Sequence, residues 1–305
     1  MQEQIVCRVL TGATASGKTE LSLELAERNG WEIACMDSMQ IYRGMNIGTA
    51  KPTPEEQSRV PHHLLDLISP WEGFSVAMYR EKAENLIREK WQQGKSLLFV
   101  GGTGLYLQAL MHPLGMGAVP ANETLRQELH MLADSPEGRQ HLHDLLHSLD
   151  PVTALRLPVN DVRRTIRAIE VSQATGIPFS AQPPREEKSP FIWRAVALEL
   201  PRDILYDRIN QRVNRMLDAG LEQEVRTLLA QGVPRDAQCM QGLGYKEMVL
   251  YLDGILSLDK ARDEIQKGTR HYAKRQGTFF RREPSLAYVS ALGNDTLARL
   301  ESAII

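Results

Sequence analysis

Short apolar runs alternate with amphipathic stretches in the first third of the chain. Four of these runs are typical of β-strands: Ile5–Leu10, Glu32–Met36, Pro61–Asp66 and Leu97–Val100. Lys18–Asn29 is typical of a helix that ends at Gly30, and Ser75 opens a second helix that ends before Gly94. Strands that alternate with helices predict an α/β fold in which helices flank a parallel sheet.

The pattern changes after residue 113. Residues 113–120 read as a linker, and helical patterns follow near 123–132, near 137–149 and after an N-cap at Asn160. A loop containing Pro178, Pro183, Pro184 and Pro190 then leads to a strand-like run, Arg194–Leu200. Helical patterns at about 202–218, 221–231 and 258–282 complete the chain. We therefore predict a core formed by 1–113 and 191–305, interrupted by a helical insertion domain over 114–190.

Composition is ordinary for a globular protein and excludes several classes. The 305 residues are 42% hydrophobic and 24% charged, with a formal net charge of -2, so the chain as a whole would not attract nucleic acid. Cys7, Cys35 and Cys239 are scattered without metal-binding spacing, which favours a reducing compartment. Because neither a signal peptide nor a membrane span is visible, we expect a cytoplasmic protein, monomeric and with no membrane partner.

The most specific motif is Gly12–Thr19, Gly-Ala-Thr-Ala-Ser-Gly-Lys-Thr, which matches the P-loop pattern between a predicted strand and a predicted helix. The backbone N–H groups of such a loop and the positive end of the helix dipole bind phosphate oxygens. Lys18 supplies a charge to the terminal phosphate, and the Thr19 hydroxyl is placed to bind Mg²⁺. The core is therefore predicted to be a P-loop NTPase-like domain that binds a di- or triphosphate.

Asp37 and Thr103 follow two strands of that predicted sheet. Asp37 could be a general base, an Mg²⁺ ligand or simply a helix N-cap. Thr103 lies in Gly101–Gly104, which could either bind a ligand or only connect a strand to a helix. P-loop enzymes that hydrolyse ATP usually carry an acidic residue at such a strand end, and this chain carries glycines and a threonine there.

Two basic clusters suggest a local surface for RNA. Arg163, Arg164 and Arg167 fall on one predicted helix, and six cations lie within 267–282, interleaved with Tyr272, Phe279 and Phe280. Cations for phosphates and aromatic rings for stacking suit a single-stranded RNA loop, although a solvated helix face would have the same composition. His141, His143 and His147 lack the partners of a zinc site, so we expect them at the surface and expect no structural metal.

Taken together, these motifs resemble the bacterial tRNA dimethylallyltransferases, also called tRNA isopentenyltransferases. The resemblance covers nearly the whole chain in an ordered set of segments: 12–19, 37–40, 42–44, 47–52, 61–66, 101–106, 160–161 with 164 and 167–170, 244–247, and 269–270 with 272–276. It implies that dimethylallyl diphosphate donates its five-carbon group to N6 of the adenosine on the 3′ side of the tRNA anticodon. The P-loop, Gly12, Ala13, Thr14, Ala15, Ser16, Gly17, Lys18 and Thr19, would then bind a diphosphate leaving group with Mg²⁺.

The same resemblance assigns the remaining residues. It implies that Asp37 is the general base and that Thr103, Arg126 and Lys18 act near the reacting atoms. It also implies a set of contacts to the tRNA anticodon loop: Asp37, Ser38, Met39, Gln40, Arg163, Arg164, Arg167, Gln241, Gly242, Leu243, Gly244, Tyr245, Lys246, Lys274, Arg275, Gln276, Gly277, Thr278, Phe279, Phe280 and Arg281. The chain departs from the family pattern at Ala13, usually proline, at Phe279, usually tryptophan, and at Val162-Arg163, usually Pro-Gln.

Two other functions account for part of the sequence. A P-loop kinase of small molecules or nucleotides would use Gly12–Thr19 and Asp37, and a nucleotide-switched RNA-binding protein would use the P-loop and the basic helix. Both require bound NTP, and the strand end after Val100 lacks the acid that would hold its metal. The kinase also leaves the insertion and the basic helix without a role. The prenyl transfer to RNA that the family resemblance implies is therefore the favoured interpretation.

Overall fold

A computed structural model describes residues 4–112, 119–182 and 189–305. The chain divides into two compact units, one formed by Met1–Met111 with Ser189–Ile305 and the other by His112–Lys188, compared with predicted limits of 113/114 and 190/191. Most of the predicted linker at 113–120, and Pro183 and Pro184 of the predicted proline loop, lie outside the described residues.

The first unit is built on six parallel strands in the order β3-β2-β4-β1-β5-β6. The strands are β1 (Ile5–Gly12), β2 (Glu32–Cys35), β3 (His62–His63), β4 (Leu97–Val100), β5 (Phe191–Glu199) and β6 (Leu286–Ser290). Helices flank this sheet, so the predicted α/β class and P-loop NTPase-like core are confirmed.

Alternation along the strands divides the core between the two sheet faces. Leu10, Leu98 and Val196 pack against α1 (Lys18–Asn29) and α13 (Thr296–Ile304). Val9, Phe99 and neighbouring residues pack on the opposite face, in the larger core. Its helices are α3 (Val76–Gln92), α4 (Gly104–Met111), α9 (Arg202–Asp218), α10 (Leu221–Ala230), α11 (Tyr245–Leu252) and α12 (Leu258–Phe280).

The prediction of a strand over Pro61–Asp66 was wrong beyond two residues. Only His62–His63 pair in the sheet, because Leu64 and Asp66 adopt left-handed backbone angles, φ 62° and 50°, which end the extended run. The Asp66 carboxylate instead lies 2.5 Å from the Lys51 ammonium. A short helix that was not predicted, α2 (Pro54–Arg59), precedes this segment.

The second unit is helical and has its own small core. It contains α5 (Glu123–Leu132), α6 (Pro136–Leu149), α7 (Pro151–Ala154), α8 (Val162–Thr175) and a 3₁₀ turn at Phe179–Ala181. Leu129, Leu142, Leu146, Ile166 and Ile169 form the centre of this core. The N-cap of α8 is Asp161 rather than the predicted Asn160, since the Asp161 carboxylate accepts from Arg164 N–H.

His143 is less exposed than predicted, and its ring is hydrogen-bonded within the insertion. Its Nε2 lies 3.1 Å from the Ala154 carbonyl and 3.0 Å from the Leu157 carbonyl, so this half-buried ring connects α6 to α7. Among the described residues, no group of three or more His, Cys, Asp or Glu side chains could hold a metal ion. Likewise, no helix in the described ranges is long and apolar enough to cross a membrane.

Candidate functional site

The P-loop joins β1 to α1 at the carboxyl edge of the sheet. Gly12 is required there because a Cβ at this position would lie 2.9 Å from the Leu198 carbonyl oxygen, and Gly17 has φ 95° at the N-terminus of α1. The Lys18 ammonium donates to the Gly12 and Ala13 carbonyls at 2.9 and 2.7 Å. The Ser16 hydroxyl oxygen is buried without a hydrogen-bond partner in the described part of the chain. An unpaired buried donor inside the loop suits an oxyanion ligand.

The pKa of the Lys18 ammonium lies well below its ordinary value. Burial lowers the pKa of Lys18 to about 7, Arg212 lowers it too, and Asp37 opposes them. A neighbouring anion favours the charged ammonium, so a bound diphosphate would raise this pKa.

Asp37 and Thr103 meet at the ends of β2 and β4. The Asp37 Oδ1 accepts from Met39 N–H at 2.8 Å and so holds a turn, and no helix follows it directly. The Thr103 hydroxyl accepts from Ser38 N–H at 3.0 Å and donates to Ser38 Oγ at 3.3 Å. Within the described residues, no hydrogen bond is found to the second oxygen of Asp37, so one carboxylate oxygen is available to a substrate.

The glycines beside Thr103 allow neighbouring segments to pack closely against this turn. A Cβ on Gly101 would lie 2.0 Å from the Met36 carbonyl oxygen, so only glycine lets the two strand ends approach this closely. Thr103 N–H then donates to that same Met36 carbonyl at 3.3 Å. The turn connects β4 to α4, as one interpretation of the sequence predicts. It also places the Thr103 hydroxyl against the segment that carries Asp37, where the other interpretation expects a ligand.

Arginines on α9 complete the charged surroundings and were missed from the sequence. The Arg212 guanidinium interacts electrostatically with Lys18 and Asp37, and burial lowers the pKa of Arg212 while Asp37 raises it. Arg208, one turn earlier, lies close to the P-loop, because a Cβ on Gly17 would be 3.7 Å from its Nη1. Four-residue spacing on a predicted helix was the available signal.

Helix α12 closes the site on its other side. The Gln276 carboxamide accepts from Thr14 N–H at 2.9 Å and donates to the Gly102 carbonyl at 2.7 Å. Burial raises the pKa of Tyr272, and the nearby Asp37 raises it too. Lys274, Arg275, Thr278 and Phe279 are exposed on the same helix, as is its C-cap residue Arg281, and the Arg275 guanidinium lies 5.8 Å from the Tyr272 ring centre.

Four side chains in the segments expected to contact RNA are bonded or packed within the protein. Tyr245 is 0% exposed, and its hydroxyl donates to Glu224 at 2.6 Å, so this ring cannot reach a ligand at the surface. The Gln40 amide nitrogen donates to the Thr49 and Ala50 carbonyls, and Gln40 Oε1 accepts from Cys35 Sγ. Gln276 and Phe280 are 6% and 2% exposed. These four side chains are engaged within the protein, and the expected contacts of their segments with tRNA stay predictions.

Other predicted RNA contacts, with the exception of Gly244, are at least partly accessible. Gln241 and Lys246 are exposed, Gly242 and Leu243 are half-buried, and Gly244 is buried at the start of α11. Ser38, Met39 and Gly277 are also half-buried.

In the helical unit, Arg126 and Arg167 share the carboxylate of Glu170. The Arg126 Nε and Nη2 donate to Glu170 at 2.9 and 3.0 Å, and Arg167 Nη1 donates to it at 2.5 Å. Glu170 also accepts from Asn122 N–H at 2.7 Å. Burial would raise the pKa of Glu170, but these hydrogen bonds hold it below its usual value. Arg163 and Arg164 are exposed on the same helix, Arg164 paired with Asp161 at 2.9 Å.

Comparison with known proteins places these features in one family. The family model for IPP transferase matches residues 40–283. A tRNA dimethylallyltransferase of Geobacter sulfurreducens is 46% identical over 289 residues, covering 94% of this chain and 92% of the relative. That of Halalkalibacterium halodurans is 44% identical over 290 residues, covering 94% and 91%.

Solved structures agree. The full-length tRNA isopentenylpyrophosphate transferase from Bacillus halodurans superposes with a TM-score of 0.72 at 41% identity, covering 97% of this chain and 93% of that one. A eukaryotic dimethylallyltransferase described as acting on tRNA gives a TM-score of 0.78 at 25% identity, covering 98% and 77%.

Proposed function

The chain belongs to the IPP transferase family and carries out tRNA dimethylallyl transfer, and we propose that its donor is dimethylallyl diphosphate and its acceptor is N6 of the adenosine 3′ to the anticodon. In this reaction the bond between C1 of the dimethylallyl group and the diphosphate oxygen breaks, and a bond from N6 to C1 forms. Pyrophosphate leaves with the electron pair, and N6 loses one proton. The observation that carries the proposal is that the P-loop is accompanied at the sheet edge by Asp37 and Thr103, while β4 ends without an acid.

The P-loop would bind the diphosphate. Its N–H groups, the Ser16 hydroxyl and the Lys18 ammonium supply donors, and Arg212 adds positive charge beside Lys18. These groups would stabilise the charge that develops on the leaving group. The exposed Thr19 hydroxyl at the start of α1 fits an Mg²⁺ ion bound to the same diphosphate, where the metal would supply further charge neutralisation.

Asp37 would act as the general base. One of its oxygens is fixed by Met39 N–H, which leaves the other oriented to accept a hydrogen bond from an exocyclic amine. An adenine amine is a weak nucleophile, so both orientation and proton removal would matter. Thr103, held against Ser38, would position the same segment or contact the base. The adenosine must leave its stack to reach this edge, as for other enzymes that act on a single base.

The exposed cations of α12 would contact the anticodon loop. Lys274, Arg275 and Arg281 are solvent-accessible, and Phe279 is 37% exposed, sufficient for stacking against a base. In the helical unit, Arg163, Arg164 and the Arg126–Arg167 pair would bind phosphates. We further propose that the protein acts in the cytoplasm as a monomer. Light scattering of the purified protein would test the oligomeric state.

A two-donor labelling experiment tests the proposed function. Purified protein, an unmodified tRNA and Mg²⁺ are incubated with either labelled dimethylallyl diphosphate or γ-labelled ATP. We expect label to enter RNA from the prenyl donor only, with pyrophosphate released in equal amount. Transfer of label from ATP to any acceptor, with no prenylated RNA, would instead support the kinase alternative.

A further inference from the structure

Gln276 connects the helix that carries the exposed cations to the loop that would bind diphosphate. It is 6% exposed, and both ends of its carboxamide are bonded to backbone groups. One end accepts from Thr14 N–H in the P-loop, and the other donates to the Gly102 carbonyl in the turn before Thr103. A single side chain of α12 therefore touches both segments of the candidate site.

The Thr14 bond has a direct consequence for anion binding. A P-loop binds phosphate through backbone N–H groups, and the direction of those groups depends on the path of the loop. The Thr14 N–H donates to Gln276 Oε1. A small displacement of α12 would therefore change the direction of this N–H group and the path of the loop that would surround the diphosphate.

The hydrogen bond from Gln276 to the Gly102 carbonyl also depends on the position of α12, because the helix and this turn are closely packed. A Cβ on Gly102 would lie 2.3 Å from Gln276 Nε2, and one on Gly104 would lie 2.4 Å from the Phe279 ring. The turn and α12 are thus in close contact through two residues one helical turn apart. Phe279 and its neighbours Lys274, Arg275 and Thr278 are exposed, so a ligand on the outer face of α12 acts on the same rigid element.

We propose that Gln276 is a positioning residue that couples RNA binding on α12 to diphosphate binding in the P-loop. This inference rests on the proposed function. RNA contacts fix α12, Gln276 then fixes the Thr14 N–H and the Gly102 turn, and the P-loop binds diphosphate more tightly. By linkage, diphosphate tightens RNA binding by the same factor.

The test measures this coupling by titration of inorganic pyrophosphate with Mg²⁺. Its Kd is determined with and without a saturating unmodified anticodon stem-loop RNA, for the wild type and for Gln276→Met. Coupling between two sites is typically about 5- to 150-fold, and we expect a factor within that range for the wild type. In Gln276→Met the factor should fall to near one, while each ligand alone still binds.

Two further variants separate coupling from folding. Gln266→Ala is the matched control, because Gln266 lies on the same helix and, within the described residues, its side chain hydrogen-bonds to Asn214 at 3.2 Å and not to the P-loop. It should keep the wild-type factor. Gly102→Ala pushes the flexible end of Gln276 aside without changing α12, and it should reduce the coupling as Gln276→Met does.

The outcomes are distinguishable. Undiminished coupling in Gln276→Met or in Gly102→Ala, with both ligands bound, would overturn the role of Gln276 and leave the proposed function intact. Equal affinity with and without RNA in the wild type would overturn it as well. Failure of the wild type to bind the stem-loop or to prenylate it would contradict the proposed function itself.

Discussion

The hydroxyl of Thr103 lies 3.0 Å from Ser38 N, and this contact joins the ends of two neighbouring strands beside Asp37. It fixes the turn that carries the carboxylate. Replacing Thr103 with valine keeps the shape of the side chain and removes the acceptor. Since one such hydrogen bond contributes about 1 kcal/mol, we expect kcat to fall about fivefold. Steady-state kinetics with saturating donor and RNA checks this, and an unchanged kcat would show that the contact does not position Asp37.

Asp37→Asn should have a much larger effect. The amide keeps the size of the carboxylate but cannot take the proton from N6, and general-base catalysis contributes about 10²- to 10⁴-fold. Single-turnover rates should fall by that range, whereas the Kd for the anticodon stem-loop should change little. Turnover close to that of the wild type would exclude Asp37 as the base.

Lys18 predicts proton uptake on diphosphate binding. With its pKa near 7, a substantial fraction of this side chain is neutral above pH 7, and the bound anion favours the charged form. Binding should therefore take up protons between pH 7 and 9, and affinity should fall as pH rises through that interval. Calorimetry of pyrophosphate binding in two buffers with different ionisation enthalpies measures the uptake. Lys18→Met should remove that part of it, and equal uptake in both proteins would contradict the assignment.

Glu170 holds two arginines of the insertion in one geometry. Glu170→Gln leaves Arg126 and Arg167 without a shared counter-charge and removes charge-assisted hydrogen bonds to a buried carboxylate, which destabilises this unit. We expect a lower thermal unfolding midpoint and weaker RNA binding. Glu123→Gln is the matched control, because Glu123 is exposed and lies 3.4 Å from the same Arg126. Equal behaviour of the two variants would contradict the role of Glu170.

The exposed cations Lys274 and Arg275 should determine the salt dependence of RNA binding. Each phosphate contact in single-stranded RNA contributes about 0.7 to the slope of log Kd against log salt. Changing both residues to alanine should reduce that slope by about 1.4. Filter-binding titrations at several salt concentrations provide the measurement, and an unchanged slope would mean that this face of α12 does not contact the RNA backbone.

The sequence predicted five strands of the sheet, the P-loop and most long helices, because these depend on local periodicity and on one specific motif, but it did not predict β6. It could not predict that Gln276 and Tyr245 face inward, since an α-helix places polar or aromatic residues on either side at the same spacing. The length of β3 was overestimated because Leu64 and Asp66 adopt left-handed backbone angles, and neither residue is a glycine that would have indicated this from the sequence. Arg212 was missed because its partners lie far away in sequence.

The position of the modified nucleoside tests the central claim most directly. An anticodon stem-loop RNA is incubated with the protein, Mg²⁺ and dimethylallyl diphosphate, digested with nucleases and analysed by mass spectrometry. A second RNA carries guanosine in place of the adenosine 3′ to the anticodon. We expect one prenylated adenosine, at that position, in the first RNA and none in the second. Prenylation at another position, or in both RNAs alike, would contradict the assignment of N6 of that adenosine as the acceptor.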